Sequence, residues 1–198
     1  MCVISMTHNK NKYLILKQKF RFQNVIGKRI YLRLLAPGNV SCNYVNWMND
    51  SEVRQFLESR FKKYTLKDIK QYVRAVDKSP YSFLFGIFLL ESNQHIGNIK
   101  IGGIDSYHKF ADIGLLIGER KMWGLGYGAE AIALATNFGF KVLGLKKIAA
   151  GIYANNVGSY KAFLKNKYKL TGRMRLHRRY KNKYVDEIIV EKLITYEK

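Results

Sequence analysis

The spacing of apolar and polar positions changes character twice along the chain. KRIYLRLL at 28–35 alternates with a period of two and predicts a strand, which Pro37-Gly38 stops. SCNYVNWMNDSEVRQFLES at 41–59 predicts helix, with a break at Asn49-Asp50-Ser51 and a fresh start before Glu52. Thr65-Leu66-Lys67-Asp68 is close to a capping box, and Ile69, Tyr72, Val73 and Val76 follow at helical spacing until Ser79-Pro80. From residue 81 the pattern turns to strands. YSFLFGIFLL (81–90) and HIGNIKIGGI (95–104) read as a hairpin about ESNQ, and KFADIGLLIG (109–118) as the next strand. A helix over 129–143, a strand over 146–154 and a helix over 155–167 come next, then two strands, KLTGRMRLHRRY and YVDEIIVEKLI. Residues 1–27 read as a polar lead-in holding one short strand, YLIL, ahead of a domain over 28–198. This order predicts a single α/β (α+β) domain built on a mixed sheet.

Composition narrows the class. A chain of 198 residues, 47% of them apolar, suits one domain with a sizeable core. Nothing approaches 18 consecutive apolar residues and the N-terminus lacks a signal-peptide layout, so no membrane span and a cytoplasmic location are expected. Cys2 and Cys42 make neither a metal spacing nor a disulfide framework, and the four histidines are scattered, so no metal is expected. The formal charge is +21. Eight basic residues precede the first acidic one, Asp50, and ten lie between Lys161 and Lys183 with no Asp or Glu among them. Such a field attracts nucleic acid, an anionic surface or phosphorylated small molecules; a solvated lysine-rich face is the competing reading.

WGLGYGAEA at 123–131 carries three glycines at alternate positions, between an apolar strand and a helix. A P-loop is excluded because no Gly-Lys-Ser/Thr ends the loop. Gly124-Leu125-Gly126-Tyr127-Gly128-Ala129 fits the letters of a dinucleotide fingerprint. That site also needs an acidic residue about 20 positions on, and none occurs between Glu130 and Asp186. A bare turn needs one or two glycines. A pyrophosphate cradle at a helix N-terminus accounts for all three, because its amides must stay uncovered. Arg120 and Lys121 stand nearby to add charge.

ADIGLLIGERKMWGLGYGAEAI resembles the acetyl-CoA site of the GNAT N-acetyltransferase superfamily, whose signature Q/R-x-x-G-x-G/A aligns with Trp123 through Gly128. Trp123 replaces the usual Gln or Arg, as in the branch acting on ribosomal-protein N-termini, polyamines and amino sugars. That branch's second motif, N-x-x-S, stands here as Asn156-Val157-Gly158-Ser159. NWMNDSEVRQFLESRF and the closing segment from Thr171-Gly172-Arg173 to Asp186 are similar to it too, so the resemblance spans roughly 28–195.

The resemblance implies a mostly antiparallel mixed sheet splayed between the strands at 109–117 and 146–153. Pantetheine would lie in the gap against the backbone of Leu115, Leu116 and Ile117, with the diphosphate on the amides of 124–129, Arg120, Lys121 and Trp123 nearby, and Asn156 and Ser159 beyond. It implies acetyl-CoA as co-substrate and amine attack on the thioester. Candidate bases are Glu58, His108 and Asp112. The family's tyrosine acid falls on Phe163, leaving Ser159 or Tyr160 to protonate the thiolate. The acceptor it points to is a nucleotide-linked amino sugar, with protein N-termini or polyamines as alternatives. From another class, the block at 161–183 with Tyr168 and Tyr180 fits a nucleic-acid-binding module whose CoA site has degenerated. The terminal strands leave edge pairing with a second copy open.

Overall fold

A computed structural model describes residues 3–194. An eight-stranded sheet forms the middle layer, in the order β1-β2-β3-β4-β5-β6-β8-β7. Its strands are β1 Val25–Ile26, β2 Ile30–Leu34, β3 Phe83–Leu89, β4 His95–Asp105, β5 Phe110–Ile117, β6 Lys147–Tyr153, β7 Lys169–Tyr180 and β8 Lys183–Leu193. Every neighbouring pair is antiparallel except β5 and β6. The helices are α1 Val3–Phe20, α2 Cys42–Asn49, α3 Leu66–Lys78, α4 Tyr127–Lys141 and α5 Val157–Lys165.

Helices cover both faces. On one, Ile132, Ala135 and Phe138 of α4 and Phe163 of α5 meet Leu32, Phe85, Ile99, Ile113 and Ile148. On the other, Tyr44, Trp47 and Met48 of α2 and Ile69 and Val73 of α3 meet Tyr31, Leu84, Phe88 and Leu116. This double cover explains why β3 reads as a continuous apolar run: Phe83 through Phe88 are all buried. α3 begins as its sequence predicts. Thr65 caps the backbone N–H of Asp68, and the Asp68 carboxylate accepts from the backbone N–H of Thr65.

Two expectations are corrected. YLIL is helical, inside α1. Tyr13, Leu16, Lys17 and Phe20 fall on one helical face, while Ile15, which a buried strand would cover, is 62% exposed. Tyr13 of this lead-in sits in the main core against Phe83. Lys17 Nζ donates to the carbonyls of Val76, Asp77 and Ser79, closing the C-terminus of α3. Second, no α-helix restarts at Glu52. Asp50 Oδ1 accepts from the backbone N–H groups of Glu52 and Val53, forming a side-chain turn that competes with helix, and a 3-10 turn follows at Glu58–Phe61.

Candidate active site

β5 and β6 pair only from Phe110–Asp112 to Lys147–Ala149. Beyond that point β5 stays on β4 as far as Ile117, while β6 stays on β8 as far as Tyr153. The two strands therefore part, and each keeps a partner on its outer side only. Backbone direction alternates along a strand, so known bonds fix which groups face the gap. The Gly118 N–H donates to Ile96 O on the β4 side, and Lys109 O accepts from the Lys146 N–H on the β6 side. Odd-numbered residues thus turn their amides to the gap. Leu115 and Ile117 present backbone there, whereas Leu116 spends its amide on the β4 ladder and offers only its side chain. Trp123 Nε1 donates to Ile117 O at 2.8 Å, bracing the strand end and occupying one of the gap-facing carbonyls.

The glycine loop closes one end of the gap. Gly124 and Gly126 have φ of +76° and +85°, the left-handed region that disfavours side chains. Gly128 answers a different need: a Cβ there would stand 3.2 Å from Leu115 Cδ2, so its absence lets α4 approach β5. Glu130 N–H is the first α4 amide bonded within the loop and helix, to Gly126 O. The amides of Tyr127, Gly128 and Ala129 have no carbonyl one turn back, and the helix dipole adds to their attraction for an anion.

A carboxylate bolts this loop to the N-terminal strands. Glu130 Oε1 accepts from the backbone N–H groups of Lys28, Arg29 and Ile30, and Oε2 accepts from Arg29 Nε. Arg29 also donates to Leu125 O and lies over the Tyr127 ring. Burial opposes the charge on Glu130, but the backbone bonds from Arg29 and Lys28 outweigh it and hold its pKa below the ordinary value.

The resulting cleft encloses about 530 Å³. Of the residues expected at the cofactor, Leu115, Leu116, Ile117, Trp123, Gly124, Gly126, Gly128, Ala129, Asn156 and Ser159 line it. Leu125 and Tyr127 turn their side chains away, Leu125 into solvent and Tyr127 beneath Arg29. Arg120 pairs with Glu52, which lines the cleft, and with Asp50, and its guanidinium lies 6.0 Å from the Trp123 ring. Lys121 is exposed outside the cleft. Lys161 and Lys165 line the cleft instead. Their i, i+4 spacing just inside α5 was the available signal, hidden within a longer basic block. Asn156 caps α5 by accepting from the Ser159 N–H at 3.2 Å. Phe163 is a core residue packed on Tyr168, and Tyr160 packs toward the core.

A second cavity of about 480 Å³ opens on the α2–α3 face and shares Leu57, Leu115 and Leu116 with the first. Glu58 lines it. Its Oε1 accepts from the Tyr153 hydroxyl at 2.6 Å and lies 3.3 Å from Arg178. Burial, then the bond to Glu58, raises the Tyr153 pKa, with Arg60 opposing. Asp68 is held by Thr65 and Lys62. Lys100 reaches over the ring of Tyr72 on the cavity wall.

The structure separates the other two candidate bases from this region. His108 lies in the turn before β5, its backbone N–H on Asp105 and its ring beside Tyr107 and Phe110. Strand rise along β5 puts it more than about 23 Å from Ile117 at the cleft end. Asp112 is the last β5 residue paired to β6 and lines neither cavity; burial raises its pKa, with Lys100 and Lys147 opposing. Among the described residues no cluster of three His, Cys, Asp or Glu is placed to hold a metal, and no helix is long and apolar enough to cross a membrane.

Residues 29–169 match the family model of the acetyltransferase (GNAT) domain. The uncharacterized N-acetyltransferase p20 of Bacillus licheniformis is 27% identical over 154 residues, covering 77% of this chain and 84% of that one. The fold is similar to RimL, a ribosomal L7/L12 alpha-N-protein acetyltransferase solved with coenzyme A (TM-score 0.78, 16% identity, 87% of this chain and 98% of that one). It is also similar to spermidine N-acetyltransferase of Vibrio cholerae in complex with CoA and spermine (TM-score 0.76, 17% identity, 84% and 96%).

Two outcomes follow from this geometry. Replacing Lys161 and Lys165 together by Ala raises the KM for acetyl-CoA by about ten-fold at low salt, and the difference shrinks as salt screens the lysines; an unchanged KM at low salt contradicts their placement. A depressed carboxylate pKa stabilises the fold above the ordinary value, near 4.5 for Glu130, and that contribution is lost as pH falls through the lower folded value. Glu130→Gln therefore lowers the Tm at pH 7, and the gap to wild type closes in acid. A gap constant with pH contradicts the bolt.

Proposed function

Since the chain belongs to the GNAT acetyltransferase domain family, and is an acetyl-CoA-dependent N-acetyltransferase, we propose that its acceptor is the amino group of a nucleotide-linked amino sugar. The observation that carries the reading is the set of charges around the second cavity. Its carboxylates, Glu58 and Asp68, are each engaged by protein cations and hydroxyls, Lys62 being the cation on Asp68, while Lys100 brings positive charge to the same wall. A polycation finds these carboxylates already engaged, whereas a phosphate finds Lys100. Tyr44, Tyr64 and Tyr72 add flat apolar wall suited to a sugar or base.

In this reading pantetheine lies along the gap as an added strand, paired to the backbone of Leu115 and Ile117. The diphosphate of the cofactor rests on the amides of 127–129, with Lys161 and Lys165 alongside. A gap-facing amide of β5 donates to the thioester oxygen as negative charge develops on it. The acceptor ammonium gives its proton, through water, to Glu58. Its nitrogen then bonds to the carbonyl carbon, the C–S bond breaks, the nitrogen gives up its second proton to water, and the thiolate takes a proton from Ser159, which regains it from solvent, or from solvent directly. Because acetyl-CoA is a cytoplasmic metabolite, the setting is cytoplasmic. The basic edge strand β7 suits weak, salt-sensitive contact with polyanions or pairing with a second copy.

The test is acetyl transfer to three amine classes at equal concentration: UDP-linked amino sugars, N-terminal peptide amides and spermidine. The reading expects kcat/KM highest for a UDP-linked amino sugar, and a spermidine or peptide preference overturns it.

A further inference from the structure

The wall of the second cavity holds a polar group that neither the glycine loop nor Glu58 explains. Asn98 lies on β4, directly across from Leu116 of β5 and Gly86 of β3, and is 4% exposed. It lines the cavity beside Leu116. Its Oδ1 stands 3.0 Å from His95 Nε2. Its Nδ2 finds no acceptor among the described residues. A buried amide nitrogen carries two N–H donors, and leaving such donors unpaired in the protein costs about 1–3 kcal/mol. A buried polar group left unpaired calls for an explanation, and completion by a bound ligand supplies one.

His95 explains the orientation. An amide oxygen only accepts, so the facing Nε2 carries the imidazole proton and donates it. The ring is held by Phe88, stacked at 4.7 Å between centroids, and by Trp47, edge-on at 5.0 Å, with Tyr44 behind. Trp47 is itself fixed against Gly118, where a Cβ would collide with the indole. Burial lowers the His95 pKa, with the bonds to Asn98 and Gly97 opposing and Arg33 adding to the lowering, so the ring stays neutral near pH 7. Arg33 is the charged group nearest this cage and stacks on Phe88. An aromatic box thus locks a neutral imidazole, the imidazole holds the amide oxygen, and the amide nitrogen is left unpaired and closed to solvent beside the cavity.

Resting on the acetyltransferase reading of the cleft, we infer that Asn98 Nδ2 donates to an oxygen of the acceptor close to its reacting amine, and that His95 is the positioning residue for it. The acceptor is then an amine bearing a neighbouring hydroxyl or carbonyl oxygen. A sugar amine or a peptide N-terminus has one; a plain alkyl polyamine does not. A site built around an unpaired donor discriminates strongly against acceptors that leave it unpaired.

The experiment uses the full chain with the UDP-linked amino sugar, an N-terminal peptide amide and spermidine as probes. Asn98→Asp keeps the shape and the bond to His95 but turns an acceptor, not a donor, to the cavity. It lowers kcat/KM for the oxygen-bearing amine at least ten-fold, with the KM for acetyl-CoA unchanged. Asn98→Leu removes the unpaired donors but also leaves the His95 Nε2–H without its acceptor, so it is read by kinetics: it loses the same acceptor while the KM for acetyl-CoA is unchanged. A merely structural Asn98 would instead shift the acetyl-CoA and acceptor constants together. His95→Gln, which retains a donor toward Asn98, keeps more acceptor activity than His95→Phe. Peptide preference overturns the nucleotide-sugar reading and supports this one. Spermidine as the preferred acceptor, or Asn98→Asp with unchanged acceptor kinetics, overturns it.

Discussion

The molecule turns on one place where a sheet stops being a sheet. β5 and β6 share three residue pairs and then diverge, because each is held more firmly by its other neighbour. Backbone groups that a regular sheet would satisfy are left facing a gap, and unsatisfied amides in a half-buried cleft demand a partner. An extended chain with its own amides, such as pantetheine, is the partner of matching geometry. The parity of the ladder decides which groups it can use. Leu115 and Ile117 are available, Leu116 is not, and Trp123 already holds the Ile117 carbonyl. The substitution of tryptophan at the head of the glycine motif therefore has a structural use of its own.

The rest of the fold holds this interruption in place from both sides. On the α4 side, Glu130 ties the glycine loop to the backbone of residues 28–30, and Gly128 lets α4 press against Leu115. On the α2–α3 side, Leu57, Leu115 and Leu116 form a shared wall through which the two cavities meet. The β7–β8 hairpin reaches the same region. Arg178 bridges the buried carboxylate of Glu187 and the carboxylate of Glu58, and bonding to Glu187 first, then the nearby acids, raises its pKa. A carboxylate so close to an arginine is steered by it, which ties the terminal hairpin to the wall of the second cavity.

Much of this was legible in the sequence, and the exceptions have physical causes. The glycine loop and the Asn156 cap were readable because each depends on local backbone geometry that few residue types permit. β3 through β6 were readable because their apolar runs are long. α1 was misread because YLIL has strand-like residues, and only the later contacts of Tyr13, Lys17 and Phe20 reveal the helical face. The pairing of Arg120 was not legible because nearness in sequence to the loop says nothing about Glu52, which tertiary folding brings against it. The place of His108 was hidden for a similar reason: it adjoins β5 at the end away from the cleft. The Asn98–His95 pair was invisible, since a polar residue within HIGNIKIGGI looks like an ordinary solvent-facing strand position until both sheet faces prove to be covered.

The most direct measurement is residue-resolved amide hydrogen exchange, with and without acetyl-CoA. The account predicts new protection at Leu115 and Ile117 and at the amides of residues 127–129, with Leu116 already slow in the free protein because it belongs to the β4 ladder. Leu115, Ile117 and the loop amides exchanging equally fast with saturating cofactor, or new protection confined to Leu116, would contradict it.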